Sequence, residues 1–131
     1  MNREEIVQGV CECVGVVVDV EPATIRESDS IIDDLGADSL DLLDLVFHLE
    51  RRFRIRITPR DIERRARGQL GETPLEVDGV YTPEALVLLR EALPEVPVGE
   101  LDGGLCTKDL PRRFRVATFV RLVIRLMKEQ H

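Results

Sequence analysis

Tryptophan is absent from this sequence, and only four Phe and one Tyr stand among its 131 residues. A core must therefore be built from Val, Leu and Ile, and the chain has few aromatic faces on which nucleobases could stack. A nucleic-acid partner is not expected. Cysteine is scarce and odd in number, three in all, so no fully paired disulfide framework exists, and reduced thiols in a cytoplasmic protein are expected. No long hydrophobic run occurs. The longest apolar stretch, Val14 to Val18, is far short of the about 20 residues that a spanning helix needs. The start, Met1-Asn2-Arg3-Glu4-Glu5, lacks the basic-then-apolar order of a secretory signal. These absences point to a cytoplasmic protein with no integral membrane segment, of a length ordinary for one domain.

Bases are scarce in one half only. Residues 1–50 carry 13 acids and two bases, and residues 51–131 carry 12 acids and 16 bases, so a net charge of −7 divides into −11 and +4. Such a division gives the first half an acidic surface for a basic partner, unless the two halves neutralise each other. Ile6, Val10, Cys13, Val14 and Val17 recur at steps of three and four with Glu4, Glu5, Gln8 and Glu12 between them, which predicts a first amphipathic helix. The β-branched run Val16-Val17-Val18 would also suit a strand, but no alternating partner segment follows it. After Pro22 comes a polar loop that Ile31 and Ile32 pin to the core.

The next stretch reads Asp33-Asp34-Leu35-Gly36-Ala37-Asp38-Ser39-Leu40-Asp41, followed by Leu42-Leu43-Asp44-Leu45-Val46-Phe47-His48-Leu49-Glu50. Gly36 supplies a turn, Asp38 is a good N-cap, and Asp41 falls three residues later beside the free N–H groups of a first turn. A second helix therefore begins at Ser39, whose hydroxyl stands at the positive end of the helix dipole, where a phosphodiester is favoured. On this helix Asp38, Asp41 and Asp44 form an acidic stripe beside an apolar one of Leu40, Leu43 and Phe47, while Leu42, Leu45, Val46 and Leu49 face a core.

Asp38-Ser39-Leu40, preceded by Leu35-Gly36 and followed by an acidic, apolar-patterned helix, resembles the attachment motif of the acyl carrier protein family. The resemblance covers residues 1–59 and, more loosely, 107–131, where Lys108-Asp109-Leu110 and Arg115-Val116-Ala117-Thr118-Phe119 look like the short third helix and the fourth. It implies an all-α, up-down bundle forming one carrier domain, with residues 60–106 as an inserted segment. It also implies 4'-phosphopantetheine on Ser39, added by a phosphopantetheinyl transferase with coenzyme A as donor. Ser39 is then a tether and not a nucleophile, and no catalytic residue is implied. Asp38, Leu40, Asp41, Leu43, Asp44 and Phe47 would meet basic patches on acyl synthases, acyltransferases and the transferase, with the carrier a monomer. Without the resemblance, Ser39 reads as an ordinary helix-start serine, and the two stripes as a solvated face beside a core stripe.

Enzymatic and metal-bound readings fail on spacing. His48 lies nine residues after Ser39, about 180° around the helix and roughly 13 Å along it, so the two cannot form a dyad. Cys11 and Cys13 point about 200° apart on a helix and cannot share a metal, and Cys106 follows Asp102-Gly103-Gly104 in a loop. The chain departs from the family's acidic habit at Arg51, Arg52, Arg54 and Arg56, continued by Arg60, Arg64, Arg65 and Arg67 against Asp61 and Glu63. These arginines could pair with the acidic first half, bind an acidic partner or phosphate-rich surface, or form a solvated face, and the solvated face is favoured. Within the insertion, Asp78-Gly79 predicts a tight turn, and Thr82-Pro83-Glu84 starts a helix with stripe Ala85, Leu86, Leu89, Ala92 and Leu93. A last helix, with Arg121, Arg125 and Lys128 opposite Val116, Phe119, Val120, Val123 and Met127, closes the bundle in preference to lying on a membrane. The insertion and the arginines suggest a specialised carrier, for envelope lipid or lipopolysaccharide acylation. Fatty acid synthesis and carriage of polyketide, peptide or D-alanyl intermediates share the serine motif, and an unmodified interaction module is the alternative of a different class.

Overall fold

The computed structural model describes residues 1–57 and 74–131. Two compact units emerge, Met1–Ile57 with Phe114–His131, and Thr58–Arg113. The arginines at 60, 64, 65 and 67 lie outside the described residues.

In the first unit, α1 runs Arg3–Val18, with Asn2 as its N-cap accepting from the Glu5 N–H at 2.9 Å. The run Val16-Val17-Val18 is helical, because burial of Ile6, Val10, Cys13 and Val14 along one face outweighs a local β preference. Glycine is required at position 9: a Cβ there would stand 2.7 Å from the Phe53 ring, so the bare backbone lets this helix approach the next one.

Residues 19–38 form the expected loop, crossed by a 3-10 turn at Pro22–Thr24. Ile31 is 1% exposed and Ile25 is buried with it, whereas Ile32 is only half-buried, so Ile25 and Ile31 do the pinning. Buried Ser30 donates its N–H to Asp34 Oδ2 at 2.7 Å and accepts from the Asp33 N–H at 3.1 Å, which holds this turn. Gly36, at φ 78°, makes the left-handed bend that delivers the chain to α2, Ser39–Phe53.

The last helix here called α4, Val116–Gln130, buries Val116, Phe119, Val120, Leu122, Val123 and Leu126. Its first N–H groups, at Val116 and Ala117, donate to the carbonyls of Asp29 and Glu27, so the loop serves as a backbone cap. The Arg115 N–H donates to Thr118 Oγ1 at 2.9 Å. α1 packs against both α2 and α4, and the described interior is aliphatic apart from Cys11, Cys13, Phe53 and Phe119. This is the helical closure expected from the pattern.

In the second unit, Glu76–Val77 (β1) and Val80–Tyr81 (β2) pair antiparallel across Asp78-Gly79, at φ 53° and 79°, the left-handed pair of a tight hairpin turn. The helix α3 is Pro83–Ala92, with Thr82 Oγ1 accepting from the Ala85 N–H at 3.2 Å. Leu86, Leu89 and Leu93 are all buried. The 3-10 helix Thr107–Arg113, expected in the bundle, is tied to this unit: the Thr107 N–H donates to Gly79 O and Arg113 Nε to Glu100 O. Apart from the hairpin and the isolated bridges Ser30–Arg115 and Val80–Cys106, the described residues are helical or irregular. No described helix is long and apolar enough to cross a membrane.

Candidate functional site

Asp38 takes an extended conformation, φ −111°, and ends the loop as the N-cap of α2. Its Oδ1 accepts the Asp41 N–H at 2.9 Å, while Asp41 Oδ2 accepts the Asp38 N–H at 3.0 Å. The two aspartates thus form a reciprocal capping box, with acids on the positive end of the dipole. Sequence reasoning found the cap; the return bond from Asp41 was not foreseen, although an acid three residues after a cap is its signature.

Ser39 is the first residue of the helix and is exposed. Its hydroxyl has space for a transferase to reach and for a long flexible group to leave the surface. The capping box qualifies the expectation of a phosphate-binding end: two carboxylates flank Ser39 and offset the dipole, so a phosphodiester there would be held by a covalent bond and not by the dipole. The residues present fit a covalently tethered arm.

Below Ser39 the helix divides as its pattern predicts. Leu45 and Leu49 are fully buried, Leu42 and Val46 half-buried. Leu40, Leu43 and Phe47 stay outside, at 75%, 52% and 54% exposure. Three large apolar side chains in one exposed row cost solvation unless something meets them. Asp44 is exposed beside them, and His48 Nε2 lies 3.7 Å from Asp44 Oδ1, an i,i+4 contact that is ionic only when the imidazole is protonated. His48 is therefore engaged with Asp44, more than two turns below Ser39.

The basic end of α2 is not uniform. Arg52 Nη1 meets Glu12 Oε2 at 2.7 Å, joining α2 to α1, while Arg51 and Arg54 are exposed. Cys11 and Cys13 are both buried, and burial pushes both thiols above the usual range, with neighbouring acids adding to the effect at Cys11. Cys11, at 8% exposure, belongs to the core with Cys13. Among the described residues no group of three or more His, Cys, Asp and Glu could hold a metal ion.

The family model described as "Phosphopantetheine attachment site" matches residues 8–67, which contain Ser39 and run past the expected start of the insertion at 60. The acyl carrier protein of Thermotoga maritima is 40% identical over 63 residues, 48% of this chain and 78% of that protein. The chain belongs to the acyl carrier protein family. The acyl carrier protein of Prochlorococcus marinus is 44% identical over 57 residues, 44% of this carrier and 71% of that protein. The meromycolate extension acyl carrier protein of Mycobacterium tuberculosis is 31% identical over 62 residues, 47% of this carrier and 54% of that protein. No solved structure matches the carrier significantly. The prosthetic group of this carrier is 4'-phosphopantetheine.

Proposed function

We propose that Ser39 is the attachment point and that the protein carries acyl groups for fatty acid synthesis or a specialised lipid pathway, envelope lipid or lipopolysaccharide acylation included. The observation that supports this most directly is an exposed serine at the first position of a firmly capped helix, above an exposed row of Leu40, Leu43 and Phe47. The terminal thiol of the arm holds the acyl group as a thioester. The protein's own part is threefold. Asp38 and Asp41 fix the helix start that presents Ser39 Oγ to a phosphopantetheinyl transferase using coenzyme A. Loop bonds at Ser30 and Asp34 hold the approach to that start. Asp38, Asp41, Asp44, Leu40, Leu43 and Phe47 make a surface for acyl synthases and acyltransferases with basic docking patches. Nothing in this role needs a catalytic group of the carrier's own, and a monomer suffices. The whole chain is read as one carrier domain with residues 60–106 inserted.

The test is an intact mass. Incubated with coenzyme A and a broad-specificity phosphopantetheinyl transferase, and with one from the source organism, the protein should gain one phosphopantetheine, and Ser39→Ala none. If neither enzyme modifies the folded protein, the reading as an unmodified interaction module replaces this one.

A further inference from the structure

The row formed by Leu40, Leu43 and Phe47 does not end at Phe47. At 100° per residue, Arg51 falls about 40° from Phe47 and one turn below it, and Arg54 follows directly after the helix as its left-handed C-cap. Both are exposed. Among the described residues neither has an ion-pair partner, whereas Arg52 on the flank is occupied by Glu12. Mutual neutralisation with the acidic first half thus accounts for Arg52 and leaves Arg51 and Arg54 unexplained. The exposed face of α2 consequently carries the carboxylates of Asp38, Asp41 and Asp44 alongside the apolar row in its upper part, and two guanidiniums at its far end.

Asp44 and Arg51 are separated by about 10 Å along the axis, and Asp44 and Arg54 by about 15 Å. Both separations exceed the screening length of about 8 Å at physiological ionic strength, so a partner feels two charge patches and not their average. A uniformly basic docking face would be attracted at one end and repelled at the other. Resting on the carrier reading, we propose that the acyl-handling enzyme dedicated to this carrier docks with a dipolar face: basic residues around the mouth that receives the arm, an apolar shelf, and a carboxylate patch about 10–15 Å further on, facing Arg51 and Arg54. A second copy of the chain, laid antiparallel, would also match the charges. The three exposed apolar side chains offer on the order of 300 Å², below the about 450 Å² of apolar area in a stable interface of about 800 Å² per partner. The face therefore suits a transient enzyme encounter.

The experiment uses the full-length protein modified at Ser39, confirmed by mass before any kinetics, so failure of the carrier reading is seen separately. Wild type, Arg51→Glu/Arg54→Glu and Arg51→Lys/Arg54→Lys are offered to the source organism's acyl-loading and acyl-consuming enzymes. KM and kcat are measured for the enzyme with the highest kcat/KM on wild type. The Glu pair should raise KM about tenfold with little change in kcat, and the Lys pair should stay within about twofold. The difference should shrink toward nothing near about 0.5 M salt. Arginines that serve only the helix dipole would shift the melting temperature and leave KM alone. That result, or a KM equal for the Glu pair and wild type at low salt, overturns the proposal. Sedimentation showing a wild-type dimer that the Glu pair dissociates would overturn it in favour of the second copy.

Discussion

Single residues in this carrier are set by what touches them, and the cysteines show it. Cys11 and Cys13 sit in the core with thiols held above their ordinary range by burial, while Cys106 is half-buried in a loop. A thiolate is the reactive form, so the two core cysteines should resist alkylation at pH 7–8 while Cys106 reacts. Mass spectrometry after a maleimide pulse on the unmodified protein should find one label, and three after denaturation. The linkage has a sign: a thiol whose folded value is raised ionises first in the unfolded chain, so stability from Cys11 and Cys13 is lost as pH rises above about 8.5. Asp41 shows how position decides meaning. Its spacing marks it as an acid for docking and dipole, and it also accepts the Asp38 N–H, a bond whose signature is an acid three residues after the cap.

At the scale of elements, α2 performs two tasks with one pattern. Its inner row of Leu45, Leu49 and Phe53 fills the bundle, and its outer row stays in water. Acidic positions on the outer side should separate by what else they do. Asp44→Lys, at an exposed position, should slow modification of Ser39 several-fold at low salt and change stability by less than about 0.5 kcal/mol. Asp41→Lys should slow modification too, but should also cost about 1 kcal/mol, because it removes half of a capping box and puts a cation on the positive end of the helix. Thermal melts beside loading rates would check both. Equal melting losses in the two variants would mean the cap is not what stabilises the helix start. The helix starts at Asp38 and Thr82, and the turn at Asp78-Gly79, are decided within a few residues, so they were legible in the sequence.

For the whole molecule, the question is what the stretch between the bundle's halves contributes. Among the described residues, the buried members of the hydrophobic cluster of α1, α2 and α4 come from residues 6–55 and 116–126. Replacing residues 58–113, the second unit, with a flexible Gly/Ser linker should therefore leave a protein that melts cooperatively, is helical by circular dichroism and is modified at Ser39, since closure entropy rises only slowly with loop length. A deleted protein with no cooperative melting would show that the bundle's core needs residues beyond that cluster. The division at Ile57 and Phe114 differs from the expected bounds at 59 and 107 for a tertiary reason: the bonds of Thr107–Arg113 run to Gly79 and Glu100, far away in sequence, where periodicity carries no signal. By itself the sequence determined the helices of the carrier, the cap before Ser39 and the rows along α2, because each depends on spacing within a few turns. Tertiary structure decided that Leu40, Leu43 and Phe47 remain outside while Cys11 goes in, that Arg52 is held by Glu12 while Arg51 and Arg54 are left to solvent, and that loop carbonyls at residues 27 and 29 cap the last helix. Those outcomes depend on which distant surfaces meet, and a helical period is the same whether its apolar row meets a neighbour or water.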